Sequence, residues 1–255
     1  MNDIFVYPLQ NSKEYKDIIN CINNKGSLLI NGLLAVQKPH IAYSMYRDLN
    51  RQTIFITNSD LEAKKVYDDL SFYMKDKVEY IGFQDILFYH LDAKDRSEEA
   101  KRLKVLLKLA KGENIILVTS IEAVMRKYIP KEILLENIYT YKIGDVINLE
   151  KLSETLVNLG YERVSKIEGF GQFSIRGGIV DIFSLEYNNP IRMELFDDEI
   201  DSIRTFDVFS QKSIEKINKF SITPSREFIY PENVEEVVDK IKKDTDKNTN
   251  EDVFL

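Results

Sequence analysis

The chain has 255 residues, 44% hydrophobic and 30% charged, so it can bury the core of one large domain or two modest ones. Its net charge of −7 argues against a protein whose main task is to coat nucleic acid, because phosphate contacts need clustered Lys and Arg. The lone Cys21 allows no intrachain disulfide, His40 and His90 lack companions at ligand spacing, and no apolar run or signal peptide points to a membrane, which together suggest a reducing cytoplasm.

Up to about residue 130, strand-like and helix-like text alternate. The strand runs are "SLLINGL" (27–33), "TIFITNS" (53–59), "VEYIGF" (78–83) and "NIILVTS" (114–120), apolar enough to be buried on both faces of a parallel sheet. Helical spacing covers 12–24, 38–50, 60–74 and 97–111. Cys21 falls in the first of these helices and reads as a small buried apolar residue. Ser59 or Asp60 caps the third helix, with Leu61, Val66 and Leu70 in its apolar stripe, and Ser97 opens the fourth. Strand and helix in this order predict an α/β layered domain. Pro130, in "YIPKEI", marks the end of that pattern.

The text from 131 onward predicts an antiparallel α+β module. A strand at "IYTYKIGDVI" precedes a helix at "NLEKLSETLVNLGY", which Gly160 closes. Several strands follow, with turns at "EYNNP" and "DDE" and a bend or bulge at the glycines of "RGG" (176–178). Pro231 opens a last helical stretch to about Lys242, and the chain reads as a piece of a longer protein.

One stretch invites a nucleotide reading. "NGLLAVQKPH" (31–40) matches G-x-x-x-x-G-K-[ST] at Gly32 and Lys38, but Gln37 replaces the second glycine and Pro39 the metal-holding hydroxyl. No acidic residue follows a strand where Mg²⁺ would be held from the second side; Thr119 and Ser120 stand there. An ordinary strand–helix turn, a live site and a vestigial one remain as readings, and with two of four positions failing no ATP binding is expected.

The second module carries the more informative pattern. Period two in "IRMELF" puts Ile191, Met193 and Leu195 on a core face and Arg192, Glu194 and Phe196 on the other. In "FSIR", Ser174 and Arg176 oppose Phe173 and Ile175. If these segments pair across "NNP", Arg176 and Arg192 join one surface with Phe196, in the manner of interface hot spots. A solvated sheet face with Phe196 tucked under a loop is the alternative. Asp197, Asp198, Glu199 and Asp201 read as a solvated acidic turn. Substitutions at Arg176, Arg192 or Phe196 are expected to spare the melting temperature if the face is exposed.

The segments "GQFSIRGGIVDIF", "NPIRMELFDDEIDSIRTFDVFSQKSIEKI" and "ITPSREF" resemble the N-terminal UvrB-like region of the bacterial transcription-repair coupling factor family, and "VTSIEAVMRKYIP" and "YKIGDVINLEKLSETLVNLGYERV" extend the likeness upstream. The resemblance implies a RecA-like α/β domain (1–130) with a degenerate phosphate loop at Gly32, Gln37, Lys38 and Pro39. It is interrupted by an inserted α+β domain (131–223) that binds UvrA, and 224–255 form a truncated return segment. It places UvrA contacts at Arg176, Arg192, Glu194 and Phe196, with Arg204 as a fifth. It implies a non-catalytic module without cofactor or metal. The parent protein would be an ATP-dependent DNA translocase that meets RNA polymerase and double-stranded DNA through parts outside this chain. A nucleotide- or DNA-binding helicase-like domain of a UvrB-type repair enzyme is the alternative. The DNA-clamping hairpin of UvrB has no evident counterpart in the sequence.

Overall fold

A computed structural model describes residues 4–83 and 92–229, with 238–239 and 242–243 in addition. The expected helix from Pro231 and the residue His90 therefore lie largely or wholly outside the described residues. The chain divides into two compact units, one of residues 1–95 and 105–128, the other of 96–104 and 129–255.

The first unit holds helices α1 (Tyr7–Gln10), α2 (Lys13–Asn23), α3 (Gln37–Leu49), α4 (Asp60–Met74) and α6 (Ile121–Val124), together with the later part of α5 (Asp92–Ala110). Its sheet is parallel, with β3 (Ile116–Ser120) between β1 (Thr53–Thr57) and β2 (Val78–Ile81). β3 is buried along its whole length, and its alternation divides two cores. Ile116 and Val118 face Ala63, Val66 and Leu70 of α4, whereas Leu117 joins Ile81, Val105 and Ala123. Each such aliphatic side chain contributes about 1.5–3 kcal/mol when fully buried, so the sheet is held mainly by what covers it. Ser59 caps α4, its hydroxyl accepting from the Glu62 N–H at 3.3 Å.

Five local expectations need correction. Residues 27–33 form no strand; Leu28, Leu29 and Ile30 are exposed, because an apolar run becomes a strand only where a ladder partner and a packing face receive it. Leu61 is exposed and Ala63 takes its place in the α4 stripe. Ser97 lies inside α5, not at its cap. Cys21 is only half-buried, its thiol 3.8 Å from the Ser27 carbonyl. β1, at the sheet edge, leaves Ile54 and Ile56 exposed and so is not buried on both faces.

The second unit begins with α7 (Lys131–Glu136), β4 (Tyr139–Lys142) and α8 (Leu149–Asn158). The Asn148 side chain caps α8 by accepting from the Lys151 N–H at 3.0 Å. At the other end Gly160, with φ +84°, donates to Val157 O while the Tyr161 N–H donates to Leu156 O, both at 2.9 Å. This paired closure requires a left-handed residue, which glycine supplies without a Cβ penalty.

The rest of the unit is a sheet of β5 (Glu162–Arg163), β6 (Gln172–Arg176), β7 (Ile179–Ile182), β8 (Ile191–Phe196), β9 (Glu199–Phe206) and β10 (Ser213–Lys216), while β11 (Lys219–Ile222) pairs with β4. The six strands lie in sequence order and are antiparallel except for β5 beside β6. One face packs Phe173, Val180, Ile182, Ile191, Met193 and Ile203 against Leu152, Leu156 and Leu159. The opposite face carries the charged residues. Among the described residues no helix is long and apolar enough to cross a membrane.

Candidate partner-binding face

Strand register decides which side chains meet on the charged face. "FSIR" and "IRMELF" are not direct neighbours, as the sequence pattern suggested, because β7 runs between them. The glycines of "RGG" make the β6–β7 hairpin rather than a bulge. Gly177, at φ +60°, takes the first central position, where a two-residue turn of this hand needs positive φ. Gly178 lets β8 approach: Leu195 donates to its carbonyl at 2.8 Å, and an added Cβ would stand 3.0 Å from Leu195 O.

The intervening strand brings in Asp181, which pairs with Ser174 on one side and Arg192 on the other. Asp181 is 2% exposed. Its Oδ1 accepts from Arg192 Nε at 2.7 Å, and its Oδ2 accepts from Arg192 Nη2 at 2.9 Å and from Arg176 Nη2 at 2.7 Å. The Arg192–carboxylate pair is thus bidentate, the geometry for which a guanidinium is suited. The Arg192 guanidinium also lies 4.2 Å from the centre of the Phe206 ring and donates to Gln211 Oε1 at 3.0 Å. The hydrogen bond to Asp181 raises the pKa of Arg192 above its ordinary value, against the opposing effect of burial.

Arg192 and Arg204 are cross-strand partners, an arrangement of like charges that is unfavourable unless each has its own counter-charge. Glu194 supplies it: its carboxylate accepts from both terminal nitrogens of Arg204 and from the Ser202 hydroxyl at 3.0 Å. Arg204 Nε is buried without an acceptor.

Phe196 ends β8 and is 81% exposed. The register shift between Glu194 and Leu195 places the extra residue, Asp201, in β9, so β8 keeps its alternation and Phe196 stays on the side of Arg192 and Glu194. The expected face is therefore assembled, but its members differ. Arg176 has a half-exposed side chain and Phe196 is open, whereas the Arg192 side chain is only 14% exposed. The expectation that an Arg192 substitution spares the melting temperature is revised on that ground.

Two residues escaped the sequence reading. Asp181, an acid inside the apolar run "GGIVDIF", had a usable signal, since a charge in a buried strand must be paired. Phe209, 92% exposed, stands on the β9–β10 turn, which Asp207 fastens by accepting from the Ser210 N–H and hydroxyl, each at 2.8 Å. Around the acidic turn, as elsewhere among the described residues, no three or more His, Cys, Asp or Glu are placed to hold a metal ion.

This face lies within residues 140–228, which match the family described as the UvrB interaction domain. Over 237 residues, 91% of its length, the chain is 33% identical to the transcription-repair-coupling factor of Bacillus subtilis (strain 168), and over 92% of its length it is 31% identical to that of Staphylococcus aureus (strain USA300). It belongs to the transcription-repair-coupling factor family, in the UvrB-like region. The coupling factor of Staphylococcus epidermidis (strain ATCC 12228) is 32% identical over 82% of this chain. The chain spans about one fifth of the length of these coupling factors, 18–20% of each. All five expected partner-binding residues fall inside the matched UvrB interaction domain.

Proposed function

We propose that this chain docks UvrA through the β6–β9 face, as the non-catalytic part of a protein that recruits UvrA to stalled RNA polymerase in transcription-coupled nucleotide excision repair. The observation that carries the reading is Phe196, 81% exposed on a strand whose neighbouring side chains are tied into a charge network, within the UvrB interaction domain. An exposed aromatic beside fixed arginines is the composition of an interface anchor. In this reading residues 131–223 form the docking domain, inserted after a RecA-like domain of residues 1–130, and 224–255 resume the first domain in sequence. Polymerase contact, DNA contact and ATP-driven translocation belong to parts of the parent protein outside these residues, in the cytoplasm.

A vestigial phosphate loop fits the geometry at 32–39. The N–H groups of Gln37 and Lys38 donate within the turn, to Leu34 O and Ala35 O at 3.0 and 3.3 Å, and the Gln37 side chain accepts from the Leu34 N–H at 2.9 Å. Amides that serve the turn are not gathered around a phosphate. The test is co-elution with purified UvrA. Phe196→Ala is expected to lose about 2 kcal/mol or more of binding, roughly thirtyfold. Undiminished binding by that variant would overturn the reading.

A further inference from the structure

We infer that Asp181 is a positioning residue of this face, a buried carboxylate that holds the Arg176 guanidinium in its binding geometry before any partner arrives. The inference rests, for its functional half, on the UvrA-docking reading. Arg176 is the last residue of β6, with a side chain 48% exposed, and an arginine so placed would ordinarily sample many rotamers that association must then freeze. Here one terminal nitrogen is tied to Asp181 at 2.7 Å, and the other reaches the Ser165 carbonyl at 3.4 Å. The carboxylate that ties it cannot itself move, being bound by the two-pronged contact from Arg192 and covered by the sheet.

Charge points the same way. Asp181 is shared between two guanidiniums, and Glu194, the other carboxylate of the network, is engaged by Arg204. The Arg176–Asp181–Arg192 cluster therefore keeps one positive charge in excess, presented by the arginine that is the more exposed of the two. That arrangement suits a partner surface offering a carboxylate next to a pocket for Phe196. A buried ion pair is a poor route to stability alone, so its position between the two arginines of the face is better accounted for by preorganisation.

The experiment is a double-mutant cycle on this chain, with UvrA affinity read by calorimetric titration and folding by thermal melting. Asp181→Asn and Arg176→Ala are each expected to weaken binding about tenfold, and Asp181→Asn to cost about threefold or less in the Arg176→Ala background. Fully additive losses, or wild-type binding by Asp181→Asn, would overturn the inference. Wild-type binding by Arg176→Ala would instead remove the docking role of this arginine. Side-chain NMR of the Arg176 Nε–H in the free chain tests the positioning half independently. An ordered signal in the wild type, mobile in Asp181→Asn, is expected. A mobile Arg176 in the wild type overturns the inference even if Asp181→Asn does not fold.

Discussion

Arg192→Ala separates the fold-bearing part of the face from its contact-making part. The change removes a bidentate pair to a carboxylate that is 2% exposed, a guanidinium 4.2 Å from the centre of the Phe206 ring, and a hydrogen bond to Gln211. Removing one member of a buried ion pair costs about 3–5 kcal/mol; because Asp181 keeps Arg176, the low end applies, about 3 kcal/mol. For a chain of this size that corresponds to a melting temperature about 6–12 °C lower. Phe196→Ala, by contrast, removes an exposed ring and is expected to shift stability by no more than about 0.5 kcal/mol. Thermal melting followed by circular dichroism, with UvrA co-elution of the same samples, resolves the two. The reasoning is refuted if Arg192→Ala melts with the wild type, or if Phe196→Ala melts as early as Arg192→Ala.

Gly160→Ala forces a Cβ onto a residue at φ +84° and to within 2.4 Å of Arg226 Cγ; it is expected to cost about 1–2 kcal/mol, measured by urea unfolding. Asp207 is held below its ordinary carboxylate range, first by the Ser210 backbone N–H and then by the Ser210 hydroxyl. A depressed folded-state pKa means that the turn is intact at neutral pH and loosens only as pH falls through that lowered value, below the ordinary carboxylate range. The Ser210 amide resonance should therefore titrate with a midpoint below that of an ordinary aspartate, and a midpoint at or above the ordinary one would contradict the contact. Calorimetry with Mg-ATP is expected to show no binding; a micromolar isotherm would mean that the 32–39 loop can rebuild a phosphate cradle.

Much of the charged face was legible because β-strand side chains alternate, and no packing detail is needed to sort Ile191 and Met193 from Arg192 and Glu194. The caps followed for a similar reason: Ser59 and Gly160 act on their own helix within a few residues. Where the reading failed, the deciding partner was remote in sequence. Leu28 to Ile30 have strand-like composition, yet none of the three strands of the first unit pairs with them. Leu61 has the right spacing for the α4 stripe, but Ala63 faces the sheet.

The sequence by itself determined the α/β pattern followed by antiparallel strands, the faces of β6 and β8, the family resemblance and the two failing positions of the phosphate-loop pattern. All of these depend on residue type and near-neighbour spacing. Only the tertiary structure decided that β7 enters between β6 and β8, and with it that Asp181 lies within reach of both Arg176 and Arg192. Periodicity assigns a residue to a side of a strand, whereas burial and ion pairing depend on which strand lies next to it. Arg192 and Phe196 therefore share a face and yet differ in exposure, one held in the sheet and the other open to a partner.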